Sequence, residues 1–557
     1  MKTANTSFPD TLFLPDRAKL AINCLTGLLN PTKDYLPYCL VDLTGQPPKM
    51  AHTQFDYSDH TARVIDALLL AKTMTGSEEG EDALAKLNEL FDSGFASDGL
   101  HYTPENQWSF RHANMHYQRS VINALLALRL ARGSEAAGER LNGLVDGLHE
   151  ISIKREGFAY FPSVERLPEG WPRGDWNILS WGVDPANTNG RLLFGLTRTA
   201  EILKSGTALD LAGLYANHVM DHSSAFGSDG SFATGMEFRE GHFHSRAVTL
   251  LGVIRYGYGA NNARAIEWGR RVFDKARTYG TTFGWFPERL VRTRAHGCET
   301  CAIVDMMESA IWLAKSGHTE YWEVAERYLR NHLVESQLVN VDGLEGGNGE
   351  DGWETTRDVA RRALGGFAGW SQPNDLVSKR MHSYDLYMCC CAQGVRGLFN
   401  AWTNSVLTRE DLIRVNLLIN HAGEAATVKS WQPHAGKIEV TAHQAGEVRI
   451  RLPSFIEVRD VTLTVDGRSV PVSMPEPNFV SAGRVVAGAV VEMNFPLARR
   501  TTHETVLDTT YAVDWRGDTV VGISPGGGSF PLYQRSVLAP DTVPLVDKSV
   551  PLILFHL

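Results

Sequence analysis

The sequence predicts a multidomain α plus β protein, an (α/α)6 barrel followed by a C-terminal antiparallel β-sandwich. Three observations carry that expectation. The chain has 557 residues, more than a single core of about 250–300 residues accommodates. Over roughly the first 400 residues, apolar positions recur at three- and four-residue intervals, and Gly, Pro or Asn separates the periodic stretches. After about residue 405 the period falls to two.

The helical stretches are 16–29, 57–74, 79–93, 115–132, 134–152, 188–204, 207–221, 242–257, 260–279, 298–316, 319–336 and 384–404, six consecutive pairs. In HYQRSVINALLALRLARG, small and apolar residues cover a wide face, the pattern of a helix buried on more than one side. Paired helices stack as an open solenoid or close into a ring. No strict solenoid repeat is present, so the expected arrangement is a closed double ring, with a pocket at one end. The long connections GFAYFPSVERLPEGWPRGDWNILSWGVDPANTNG and EGGNGEDGWETTRDVARRALGGFAGWSQPNDLV are rich in glycine and aromatic rings. Such rings suit either stacking on sugars or packing between helices.

Beyond residue 405, GKIEVTAHQAGEVRIRLPSF, VRDVTLTVDGRSVPV and GAVVEMNFPL alternate apolar and polar residues between turns. The expected division is therefore a helical barrel over 1–405 and a β-sandwich over 406–557. The last stretch, PLVDKSVPLILFHL, is expected to dock on the body.

The formal net charge of -10 argues against nucleic acid as a partner, because phosphate attraction needs a basic face. No apolar run reaches the ~20 residues of a membrane span, and the start of the chain lacks a signal-peptide core. The cytoplasm is the expected location and a membrane is not an expected partner. A homodimer is the assembly expected.

Seven cysteines, an odd number, do not suggest a disulfide framework. Five of the seven lie in two groups, HGCETCAIVDMMESAIWLAKSG and YMCCCAQGVRGLFNAW. Both groups fall at helix starts, where the helix dipole favours ionised ligands. Thiolate is a preferred zinc donor and carboxylate oxygen a common companion, so Glu299, Cys301 and two of Cys389, Cys390 and Cys391 form a candidate tetrahedral set. The competing reading is that the cysteines are small buried hydrophobes filling a core.

These two segments resemble the active-site signatures of glycoside hydrolase family 127, the β-L-arabinofuranosidases, and its wider clan of related uncharacterised six-hairpin glycosidases. Glu299-Thr300-Cys301-Ala302 matches the family's Glu-Thr-Cys-Ala at a helix start. The family also has a Cys-Cys pair with an arginine six residues after the second cysteine. Arg396 lies six residues after Cys390, so the matching pair is Cys389-Cys390, and the run through Arg396-Gly397-Leu398 to Ala401-Trp402 then aligns without a gap. The family's Pro-Pro-Asn after the pair is replaced by Cys391-Ala392-Gln393. The resemblance covers about 240 to 402 well, and the rest by architecture only.

The resemblance implies one Zn2+ held by Glu299, Cys301, Cys389 and Cys390, with Cys389 as nucleophile of a retaining hydrolysis of a short oligosaccharide or glycoconjugate. It also implies an acid/base glutamate upstream of the Glu-Thr-Cys segment. Glu288 in YGTTFGWFPERL is the candidate, with Glu237 and Glu240 as alternatives. His242 and His244 open another inner helix, near where the family carries a sugar-contacting histidine. His116 and Asn189 also open inner helices and are further substrate-binding candidates. Other classes stay open: a sugar epimerase, a polysaccharide lyase, or a carbohydrate-binding protein with a structural zinc.

Overall fold

The protein is described by a computed structural model covering residues 3–172, 185–294, 296–378, 384–535 and 543–551. Its helices are α1 Leu14–Gly27, α2 Thr61–Thr75, α3 Glu81–Ser93, α4 Met115–Arg132, α5 Glu135–Ile151, α6 Pro185–Leu203 and α7 Gly206–Asn217. They continue as α8 Phe243–Gly259, α9 Ala263–Arg277, α10 Thr300–Lys315, α11 Tyr321–Tyr328, α12 Val359–Ala363 and α13 Met388–Ser405. The helix not expected from the sequence is α12, a single short turn of five residues.

Burial separates the helices into two kinds. In α10 every residue from Thr300 to Ala314 is buried. In α9 the buried residues are Ala265, Trp268, Gly269, Val272, Phe273 and Ala276, one stripe at helical spacing. The packing follows the same division. Helices α2, α4, α6, α8, α10 and α13 each pack on the next, and α13 packs back on α2. Helices α1, α3, α5, α7, α9 and α11 each pack on one of these. Close approach of α6 and α8 depends on glycine: a Cβ at Gly252 would lie 2.5 Å from the Gly190 carbonyl oxygen.

Two local features frame the open end of this cycle. A five-residue π-turn, Asp56–His60, precedes α2 and buries Asp56, Asp59 and His60. A four-stranded sheet joins distant segments in the order Glu354–Thr355, Lys49–Ala51, Leu40–Asp42, Leu386–Tyr387. The last of these strands runs directly into α13 and so sets where Cys389 begins its turn. Strands of two or three residues carry too little periodicity to be read from sequence.

The C-terminal part is rich in strands. A five-stranded sheet runs Val406–Arg409, Leu412–Val415, Gly446–Arg451, Phe479–Val485, Ser473–Glu476. A six-stranded sheet runs His421–Ala422, Ala426–Ser430, Lys437–Ala442, Val490–Asn494, Thr462–Val465, Arg468–Val470. Their apolar faces share one core, in which Ile413, Val448 and Ile450 of the first meet Val428, Val440 and Val491 of the second. The pairing is not wholly antiparallel as expected: Leu412–Val415 runs parallel to Gly446–Arg451. The intervening chain crosses through the other sheet, the long connection that parallel neighbours require.

A third sheet, Arg499–Val506, Thr509–Arg516 and Thr519–Ser524, joins its core to the helices through Val513, Trp515 and Val520. The C-terminal strand Leu545–Pro551 pairs with the N-terminal strand Thr3–Pro9, so docking of the last stretch is strand pairing; residues 552–557 lie outside the described residues. Helix α11 meets the strands through a buried ionic network. Glu326 takes Arg451 at 2.6 Å and Arg330 at 2.7 Å, and accepts the Leu418 amide at 2.7 Å. Removing Glu326 leaves the buried Arg330 without its carboxylate and Arg451 with Glu323 at 3.4 Å in its place. Glu326→Ala is expected to cost about 3–5 kcal/mol, read as a lowered urea midpoint with unchanged slope.

Candidate metal centre and active-site cavity

The starts of α4, α8, α10 and α13 open into a cavity of about 370 Å³. Glu299 is the residue before α10, and Cys301 lies in its first turn. Cys389 and Cys390 lie in the first turn of α13. The structure brings these four together: one ligand atom from each lies within 4.8 Å of every other. The Cys301 and Cys390 sulfurs are 3.8 Å apart, and those of Cys389 and Cys390 are 3.9 Å apart. Tetrahedral bonds of about 2.3 Å place two sulfurs about 3.8 Å apart, so the donor set fits zinc in both chemistry and spacing.

Cys391 takes no part. One residue further along α13 is a rotation of about 100°. Its sulfur instead donates to the Phe367 carbonyl oxygen at 3.6 Å. Of the four clustered groups, Cys389 and Glu299 line the cavity, whereas Cys301 and Cys390 lie behind them, fully buried. Burial raises the Cys389 thiol, but hydrogen bonds from Cys301 and Cys390 and the Arg63 charge outweigh it and bring the group down to about 6. Burial and the neighbouring Cys389 push Cys301 up to about 12. Burial and the Cys301 sulfur push Glu299 up to about 8.

His242 stands between two carboxylates. Its Nε2 is 3.2 Å from Glu288 Oε1 and 3.3 Å from Glu299 Oε2, and its Nδ1 is 2.6 Å from the Ser245 hydroxyl. The Trp370 indole donates to Glu288 Oε2 at 3.0 Å. Burial raises Glu288, but the His242 charge and hydrogen bond, with Arg289 and Trp370, hold it down to about 2. Glu240 lies 3.6 Å from Arg289, and the Glu237 side chain lies outside the described residues.

His116, His242 and His244 all line the cavity. His244 gives Nδ1 to Asp305 Oδ2 at 2.6 Å, and burial with the Arg191 charge keeps it well below the usual histidine range. Asn189 is not brought to the cavity with them. Its side chain is buried outside the cavity lining and donates to the Ala159 carbonyl at 3.1 Å, with His218 Nδ1 also at 3.1 Å. Asn189 is the fifth residue of α6, past the first turn, and faces Ala159 and His218 instead of the cavity.

The cavity holds residues that sequence reasoning did not select: Arg63, Arg191, Arg239, Arg289, Trp370 and Tyr387. Trp370 sits in the aromatic GGFAGWSQPND loop, where a functional ring was weighed against packing. The arginines carry no comparable signal, since isolated basic residues on helices read as solvated charges.

No family model matches the chain, and no curated protein matches it. Solved structures do share its fold. A GH127 beta-L-arabinofuranosidase from Geobacillus Stearothermophilus T6 is similar at 14% identity and a TM-score of 0.58, over 91% of this chain and 80% of that one. A second GH127 beta-arabinofuranosidase is similar at 14% identity and a TM-score of 0.58, over 90% and 78%. A sugar epimerase from a ruminal bacterium is similar at 11% identity and a TM-score of 0.50, over 71% of this chain and 100% of that one. The likeness is one of fold. Among the described residues, no helix is long and apolar enough to cross a membrane.

Proposed function

We propose that the protein is a zinc-dependent retaining glycoside hydrolase with a cysteine nucleophile, built as an (α/α)6 barrel over 1–405 and a β-sandwich over 406–557. The observation that carries this reading is the position of Cys389. It belongs to a thiol cluster with zinc spacing, and it alone of the three sulfurs faces the cavity. A purely structural zinc gains nothing from such an opening. Likeness of fold to the arabinofuranosidases supports the same reading.

Glu299, Cys301, Cys389 and Cys390 are the residues that would hold the ion. When bound, zinc keeps the sulfurs ionised at neutral pH and makes thiolate a competent leaving group. The remaining chemistry belongs to the chain. Cys389 Sγ attacks the anomeric carbon, forming a C–S bond as the C–O bond to the aglycone breaks. The departing oxygen takes a proton from the Glu288–His242 pair. The two groups are 3.2 Å apart, close enough to share that proton. In the second half, water gives a proton back to the same Glu288–His242 pair and its oxygen replaces sulfur at the same carbon, with net retention. His116 and His244 line the cavity and are the candidates for contact with the sugar, and the Trp370 ring is the candidate stacking face.

A panel of nitrophenyl furanosides and pyranosides tests the reading. The expected result is hydrolysis of at least one, with the first-formed sugar retaining its anomeric configuration by NMR. Isomerised sugar without hydrolysis would point instead to epimerase chemistry, to which the three cavity histidines are also suited. Sugar binding without turnover would leave a carbohydrate-binding protein.

A further inference from the structure

We infer that the carbohydrate taken by this cavity carries an anionic group, and that Arg191 is the counter-ion that selects it; the inference rests on the sugar-site reading above. Arg191 stands in the second turn of α6, is 6% exposed, and lines the cavity. It makes three hydrogen bonds, all long and all to neutral acceptors. Nε donates to Asn187 Oδ1 at 3.2 Å, NH1 to His244 Nε2 at 3.3 Å, and NH2 to Ser245 Oγ at 3.4 Å. His244 can accept there because its Nδ1 proton is committed to Asp305. Among the described residues Arg191 has no ion pair with any carboxylate.

Its neighbours in the cavity wall are treated differently. Arg63 is paired with Asp59 at 2.8 Å, and Arg289 with Glu240 at 3.6 Å. A guanidinium taken out of water without a counter-ion is costly, and the cost is recovered when an anion arrives. Burial, with the charges of Arg119, Arg63 and Arg239, outweighs the distant attraction of Glu299 and lowers Arg191 to about 10, which leaves it cationic at neutral pH. Its planar fork matches a carboxylate, a sulfate ester or a phosphate ester through two parallel hydrogen bonds. The ligand class is thus an acidic sugar: a uronate, or a sugar esterified with sulfate or phosphate. The competing role for Arg191 is to balance the charge of the thiolate–glutamate cluster, and the two roles separate experimentally.

The test is equilibrium binding to the zinc-loaded protein by calorimetry at low ionic strength. Glucuronate and galacturonate are compared with glucose and galactose, and glucose 6-sulfate and 6-phosphate identify which anion is read. The expected result is at least a tenfold preference for an anion-bearing sugar, shrinking as salt is added, because the attraction is screened. In Arg191→Gln the preference disappears while zinc content stays within error; Arg191→Lys restores part of it. Equal affinity for acidic and neutral sugars in the wild type overturns the inference, and so does loss of zinc from Arg191→Gln. Hydrolysis of neutral glycosides without charge preference removes this inference and leaves the hydrolase reading standing. Charge-selective binding without hydrolysis of any substrate does the reverse.

Discussion

Replacing Cys389 by serine is expected to lower glycoside hydrolysis at least about 1,000-fold, because the attacking atom is lost along with its ionisation. Serine is isosteric enough to keep the first turn of α13, and its hydroxyl stays protonated where the thiol does not. The result separates a catalytic from a structural zinc. If Cys389 serves as a ligand only, Cys389→Ser and Cys390→Ser should weaken the site similarly and affect turnover only through zinc loss. If Cys389 is the nucleophile, its serine variant keeps zinc on Glu299, Cys301 and Cys390 and still fails to turn over. Iodoacetamide gives an independent readout: alkylation should fall on Cys389, the sulfur that faces the cavity, and bound sugar should block it. Hydrolysis at the wild-type rate in Cys389→Ser would falsify the nucleophile assignment.

The legibility of this site in the sequence was uneven, for physical reasons. Cysteines are rare enough that five in two tight groups stand out, and a helix start is marked by its flanking residues. Glu299, Cys301 and two of the three consecutive cysteines therefore stand out in the sequence, the family resemblance implies that the two are Cys389 and Cys390, and the structure brings these four ligand atoms together. Twelve helices were expected, and among the described residues twelve of eight residues or more are found beside the five-residue α12, because the apolar stripe persists from turn to turn. What could not be read depends on direction and distance. Asn189 and His116 both open inner helices, yet only His116 reaches the cavity, a difference of side-chain rotation that periodicity does not encode. Arg191 and Arg63 look alike as sequence, and only the contact of Asp59 with one of them tells them apart. The π-turn at Asp56–His60 shifts the start of α2, because a five-residue turn departs from the 3.6-residue pattern used to find helices.

Cys301→Ala is expected to abolish the zinc site, taking the metal from about one ion per chain to none and lowering stability with it. Cys301 is fully buried behind the cavity, so its loss leaves a void and takes one of the two sulfurs that hold the ion from inside the protein. Without an ion, the pair Cys389 and Cys390 and the buried Glu299 remain as mutually repelling acids whenever they ionise, and Glu299 is already pushed up to about 8. Chelation of the wild type should reproduce the loss of activity, and added zinc should reverse it in the wild type but not in Cys301→Ala. The wild-type thermal midpoint should rise with free zinc as expected for a ligand that binds only the folded state, and the variant should show no such rise. A metal-free wild type with full hydrolytic activity would sink the zinc assignment. The two substitutions therefore bear on different steps. Cys301→Ala asks whether zinc is held at all, and Cys389→Ser asks whether the sulfur it activates is the one that meets the sugar.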